Sequence, residues 1–312
     1  MTLAILCSGQ GWQRAGMFEL TGDAPEVAGL FAQASFLLGG RDPRELVLTE
    51  TSGVLHRNRV GQILCALQAL AAATVLKSHI PDRSVVAGYS IGEMAAWGVA
   101  GFLSPVDTLE LVAKRAEAMD AAASPGEGLL FVRGLALEVI DGLCWRHDTA
   151  IAIVEPGEAF VLGGQHAALR ALADEALTMG GTRVVDLPVE VASHTRWLAG
   201  ATDEFRSCLG HVAANAFERS GARLLSGIDG APVIQIKTGL DKLAAQISQT
   251  VHWEKCLQGC IEAGATVFLE LGPGRALSDM VGSTYLDIPT RSLDHFKTLQ
   301  GVRTWLATNL GN

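Results

Sequence analysis

Between an apolar run, Ser84-Val85-Val86-Ala87, and a helical pattern that begins near Glu93 stands Gly88-Tyr89-Ser90-Ile91-Gly92. A serine held on so tight a strand-to-helix turn needs glycine-small neighbours, and its hydroxyl then faces a helix N-terminus. The pattern is common by chance in a chain with 35 glycines, and a serine N-cap in a glycine-rich turn is the competing reading. The strand before it and the helix after it favour a nucleophile elbow, with Ser90 as the candidate nucleophile.

The rest of the chain alternates in the same way. Leu3 to Cys7 reads as a strand, Val60 to Lys77 as a helix, Ser84 to Ala87 as a strand, and helices follow through Met119. Such alternation implies a parallel sheet covered by helices. The texture changes at Gly128. Strands at Leu129–Val132, Ala150–Val154, Phe160–Leu162 and Thr182–Leu187, with helices near Leu137 and over His166–Met179, give the βαββαβ order of a ferredoxin-like unit. After Pro188 the first texture resumes, with helices expected from His194 to about Val212 and from Leu240 into Cys260. A strand at Thr266–Leu271 ends at Gly272-Pro273-Gly274, which starts a further helix. The expected fold is therefore a large α/β-hydrolase-like domain with a parallel sheet (1–127 and 189–312) carrying a small inserted ferredoxin-like domain (128–188).

Composition removes several classes of function. Lys and Arg number 24 against 33 Asp and Glu, and a net charge of −9 lacks the basic footprint that DNA or RNA requires. The apolar start meets Gly9-Gln10-Gly11 too early for a signal peptide. Gln68 interrupts the apolar stretch Ile63–Leu76, so no membrane span is expected. Six scattered cysteines without a disulfide framework suit a reducing cytoplasm, and Cys256 and Cys260 have no matching pair with zinc-site spacing.

A serine nucleophile needs a base, usually a histidine held in one tautomer by a third group. Of eight histidines, His194 stands at the end of an extended segment where the chain re-enters the large domain, but spacing alone does not choose it over His252.

Gly9-Gln10-Gly11-Trp12-Gln13, Gly88-Tyr89-Ser90-Ile91-Gly92-Glu93, Lys114-Arg115, Val191-Ala192-Ser193-His194 and Glu270-Leu271-Gly272-Pro273-Gly274 occur in the order found in malonyl-CoA:acyl-carrier-protein transacylases, which the chain resembles over nearly its whole length. The resemblance implies that Ser90 becomes malonylated and that His194 is its base. It implies that Gln246 supplies a carbonyl that orients the histidine; an ordinary polar position on a helix face is the alternative. The backbone N–H groups of Gln10 and Ile91 would form the oxyanion hole, and Arg115 would pair with the free malonyl carboxylate, though taken alone it reads as a solvated helix charge. Met119, one turn on, matches a pocket-lining position and is equally well explained as core.

Cys7-Ser8-Gly9-Gln10-Gly11 together with Gly88-Tyr89-Ser90-Ile91-Gly92-Glu93-Met94-Ala95-Ala96-Trp97 most resembles, within that family, the malonyltransferase (epsilon) subunit of bacterial malonate decarboxylase. Cys7-Ser8 stands where Phe-Pro is usual, Tyr89 replaces a histidine, and an expected asparagine in the small domain is replaced near Glu155-Pro156-Gly157. The resemblance implies malonyl-CoA as donor and no bound cofactor. The acceptor it implies is a carrier protein's thiol, on a phosphoribosyl-dephospho-CoA or phosphopantetheine arm. A dry cleft between the two domains is expected, with Arg196, Lys255 and Arg275 as candidate carrier contacts. The other readings are a transacylase of fatty-acid or polyketide synthesis, a serine thioester hydrolase that would not need Arg115, and a non-catalytic interaction subunit.

Overall fold

The computed structural model describes residues 1–211 and 221–311. Its strands among these are β1 (Thr2–Cys7), β2 (Val85–Gly88), β3 (Glu127–Arg133), β4 (Ala150–Glu155), β5 (Ala159–Gln165), β6 (Arg183–Leu187), β7 (Arg223–Leu224), β8 (Val251–His252), β9 (Ala265–Glu270) and β10 (Thr290–Ser292). They form two five-stranded sheets, β10-β9-β1-β2-β7 and β6-β3-β5-β4-β8. All pairs in the first sheet are parallel.

A parallel sheet is covered on both faces, and β1 has the matching composition: Leu3 through Cys7 are all buried. Period-2 alternation sends Leu3, Ile5 and Cys7 into one apolar cluster with the helices Asn58–Leu76, Ile91–Val99 and Pro105–Ala122. Ala4 and Leu6 enter a second cluster with the helix Trp253–Glu262. That second cluster also contains Leu129, Ile153 and Val161 from the other sheet, so one apolar layer is shared by both. The outer face of the second sheet, with Leu130, Val132 and Phe160, packs on its own helices, Leu137–His147 and His166–Thr178. β3 to β6 pair antiparallel in the order β6-β3-β5-β4, the ferredoxin-like arrangement, and β8 adds parallel to β4.

Two expected helices differ. The one expected from His194 begins as a 3-10 turn at Arg196–Leu198 and continues as Ala199–His211; its expected end, Val212, lies outside the described residues. His194 cannot be its first residue, because its backbone is left-handed, with φ 62°. The helix expected from Leu240 into Cys260 is two helices, Ile236–Ala245 and Trp253–Glu262. Between them the amides of Ile247 and Ser248 turn back onto Ala244 and Ala245, and β8 is drawn off to pair with β4.

Among the described residues one helical stretch, Asn58–His79, is long and apolar enough to cross a membrane by length and composition, and 78% of its most apolar window is buried inside the fold. Its interior glutamines have partners: Gln68 accepts from Thr21 Oγ1 and donates to the Leu271 carbonyl.

Candidate active site

The elbow is close-packed enough to explain both of its glycines. A Cβ on Gly92 would lie 2.1 Å from the Cys7 carbonyl oxygen, and one on Gly88 would lie 2.1 Å from the backbone of Gly92. A side chain at either place would drive the helix off the sheet. Ser90 between them has φ 56° and ψ −120°, a conformation non-glycine residues rarely adopt, which lifts its hydroxyl out of the turn.

Ser90 Oγ lies 2.7 Å from His194 Nε2. The opposite ring nitrogen, Nδ1, is 2.5 Å from the backbone carbonyl of Gln246. A carbonyl only accepts, so Nδ1 carries the proton and Nε2 is left to accept from the serine hydroxyl. His194 is 1% exposed, and burial, with the nearby Arg115 charge adding to it, pushes its pKa down to about 3. The imidazole is thus held neutral, with its unprotonated Nε2 directed at the Ser90 hydroxyl. The other histidine that spacing left open, His252, faces Glu254 at 3.1 Å instead.

Arg115 is not a solvated charge: it is 1% exposed. Its Nη1 donates to Gln62 Oε1 at 2.7 Å and its Nη2 to Gln246 Oε1 at 3.3 Å, while buried Nε has no partner among the described residues. Burial lowers its pKa to about 10, which leaves it a cation at neutral pH. Met119 is buried and accepts at Sδ from Gln62 Nε2 at 3.4 Å, so it lines the same cluster from below. Gln62 went unread in the sequence, where it is one polar residue in an apolar helix. Glu93 was read as the start of the elbow helix and part of its motif, with no role in the site.

The amides of Gln10 and Ile91 have no hydrogen-bond partner among the described residues. The loop that carries Gln10 abuts the elbow, since a Cβ on Gly9 would meet Tyr89 at 2.9 Å. Tyr89 turns the other way: its hydroxyl donates to Glu155 Oε1 at 2.5 Å and its ring stands edge-on to Trp253. Ser8 donates to Glu270 Oε1 at 2.9 Å, and that carboxylate also accepts the amides of Leu277 and Ser278 at the start of the last-but-one helix.

A groove of about 370 Å³ reaches His194 between Ala150 and Ile151 of the small sheet and Ser248, Thr250 and His252. A larger hollow of about 570 Å³, among Arg223, Asp229 and Lys255, touches none of the residues just described. Of the three basic residues considered for carrier contact, Arg196 lines the groove near His194 but pairs with Asp148 and stacks on Trp197; Lys255 lines the separate hollow, and Arg275 stands just before the helix Ala276–Thr284. Among the described residues no three His, Cys, Asp or Glu side chains converge as metal ligands.

The profile of the family described as acyl transferase domain matches residues 5–293. The malonyl CoA-acyl carrier protein transacylase of Mycobacterium tuberculosis (strain H37Rv) is 30% identical over 298 residues, covering 93% of this chain and 96% of that protein. A stretch amounting to 5% of the polyketide synthase GfsB of Streptomyces halstedii is 32% identical over 90% of this chain. The crystal structure of the acyl-carrier-protein S-malonyltransferase of Burkholderia pseudomallei 1710b superposes with a TM-score of 0.88 at 26% identity, covering 97% of this chain and all of that one. With the family profile spanning most of the sequence and a relative aligned almost end to end, the chain belongs to the acyl transferase domain family.

Proposed function

We propose that the protein moves malonyl from malonyl-CoA, through an ester on Ser90, to the thiol of an acyl carrier protein. His194 Nε2 takes the Ser90 proton as Oγ attacks the thioester carbonyl. The oxyanion rests on the amides of Gln10 and Ile91, and collapse expels the CoA thiol with the proton from His194. The carrier thiol then enters, gives its proton to His194, attacks the ester and leaves as malonyl-thioester, restoring Ser90. Each half-reaction exchanges one acyl ester for another, so the cycle calls on no cofactor.

Arg115 carries the choice of acyl group. It is a buried cation beside the Ser90–His194 pair, with one donor unpaired among the described residues, and a guanidinium in that setting favours a carboxylate-bearing acyl chain over a methyl-ended one. The inserted unit, 128–188, serves as one wall that keeps water from the malonyl ester. The reading is of a cytoplasmic enzyme, in keeping with six free cysteines.

For the acceptor we favour the carrier subunit of malonate decarboxylase, with its phosphoribosyl-dephospho-CoA arm. Support comes from the residues that depart from fatty-acid transacylases and here pair with one another or with the frame: Tyr89 with Glu155, and Ser8 with Glu270. The second reading is a fatty-acid or polyketide carrier, and it draws on relatives whose names give an acyl carrier protein and a polyketide synthase. Intact-protein mass spectrometry after brief exposure to malonyl-CoA or acetyl-CoA tests the first half-reaction. A malonyl adduct absent from Ser90→Ala is expected, and equal acetyl loading would overturn the reading. Chasing the malonyl-enzyme with each carrier in turn decides the acceptor.

A further inference from the structure

Gln246 does more than offer its backbone carbonyl. Its side-chain amide lies between a buried guanidinium and a buried carboxyl group: Oε1 accepts from Arg115 Nη2, while Nε2 donates to Glu93 Oε2 and, at 3.3 Å, to the Ser90 carbonyl. An amide can be turned end for end, and in isolation neither orientation is preferred. Here only one satisfies both neighbours, because a guanidinium must meet oxygen and a carboxylate must meet NH₂.

Glu93 enforces that orientation from the first turn of the elbow helix. It is 1% exposed, Oε2 also accepts the Gly227 amide at 3.1 Å, and Oε1 has no partner among the described residues. A carboxyl group buried with one oxygen unpaired among the described residues is costly to ionise, so above neutral pH the fold keeps a destabilising group at this place. Stability does not account for it.

We propose that Glu93 is a positioning residue: through the Gln246 side chain it holds Arg115 and His194 in register, so that the group that selects the acyl carboxylate and the base that activates Ser90 are set by one residue. The proposal rests on the malonyl-transfer reading above. It makes acyl selection and base positioning meet at one residue, since Gln246 offers its backbone carbonyl to His194 Nδ1 and its side-chain oxygen to Arg115 Nη2.

Two conservative variants separate reach from charge. Glu93→Gln keeps an oxygen facing Gln246 Nε2 and loses the charge; Glu93→Asp keeps the charge and withdraws the oxygen by about one carbon–carbon bond, ~1.5 Å. The readout is the malonyl-loading rate of Ser90 at saturating malonyl-CoA, measured by quenched mass spectrometry. Glu93→Asp is expected to load about tenfold more slowly, and Glu93→Gln to stay within about threefold of wild type. In a Gln246→Ala background, which keeps the carbonyl for His194, Glu93→Asp should cost less than about twofold further.

The reverse order, with Gln slow and Asp fast, would assign the effect to charge and overturn the proposal. A tenfold loss from Glu93→Asp in both backgrounds would reduce Glu93 to a support for Gly227 and overturn it equally. If wild type forms no malonyl adduct, it is the transfer reading that fails, and the proposal with it.

Discussion

His194 and Gln246 meet through a ring nitrogen and a backbone carbonyl 2.5 Å apart, with no carboxylate as the third member. A carbonyl fixes the tautomer as a carboxylate would, but it brings no negative charge to stabilise an imidazolium. The neutral ring is therefore favoured, in line with the burial that pushes its pKa down to about 3.

The pH profile should carry that signature. Loading of Ser90 by malonyl-CoA is expected to show no acid limb at 6.5, the ordinary histidine value, and to persist at pH 5. Single-turnover rates between pH 5 and 8 decide it; a limb near 6.5 would mean that His194 titrates freely. The same group has the opposite effect on stability. Below 6.5 the unfolded chain binds a proton that folded His194 refuses, so its contribution is lost as pH falls from 6.5 towards 3.

Removing the buried guanidinium should cost malonyl specifically. Arg115→Ala is expected to lower malonyl loading by about 10- to 100-fold, the range for lost hydrogen bonds to a charged group, with no gain for acetyl. Adduct formation with both donors checks this, and an unchanged malonyl rate would remove Arg115 from recognition.

Glu93 gives stability a slope of its own. Burial, partly offset by the Gly227 and Gln246 hydrogen bonds and by Arg115, raises its pKa from 4.5 to about 7. The folded state keeps this proton up to about 7 while the unfolded chain releases it near 4.5, so the group's contribution is full below 4.5 and is lost as pH rises to 7. Glu93→Gln has no proton to lose, and urea denaturation should find it gaining on wild type between pH 5 and 7.5. A constant difference would contradict the assignment.

Tyr89 and Glu155 form a pair whose halves depend on each other. The Tyr89 hydroxyl is the partner of Glu155 Oε1, and buried Oε2 has none among the described residues. Tyr89→Phe should therefore destabilise by about 1–3 kcal/mol, the cost of leaving a buried polar group unmet. Glu155→Leu added to it should recover most of that loss. Urea midpoints of the three proteins test this, and additive losses would show that the hydrogen bond is not the link.

Much of this was legible in the sequence, for reasons particular residues make plain. Gly88 and Gly92 announce the elbow because no other residue fits where two backbones nearly touch. The apolar run Leu3–Cys7 announces a strand buried on both faces, and the ferredoxin-like order follows from turn spacing. Resemblance picked His194 over His252, since what distinguishes them is a partner 52 residues away, the Gln246 carbonyl. Taken alone, Arg115 was misread: its neighbours Gln62 and Gln246 come from two other elements. The break after Ala245 left no Gly or Pro to mark it. It is imposed by the pairing of Val251 and His252 with β4, which local sequence cannot announce.

That pairing bears on how the enzyme opens. Because β8 belongs to the chain around Gln246 and yet completes the second sheet, a swinging motion of the small unit would have to tear backbone hydrogen bonds next to the residue that holds His194. Access for two bulky thioesters in turn must then come from side chains and loops at the rim, and the jaws of the molecule behave as a fixed-gap vice.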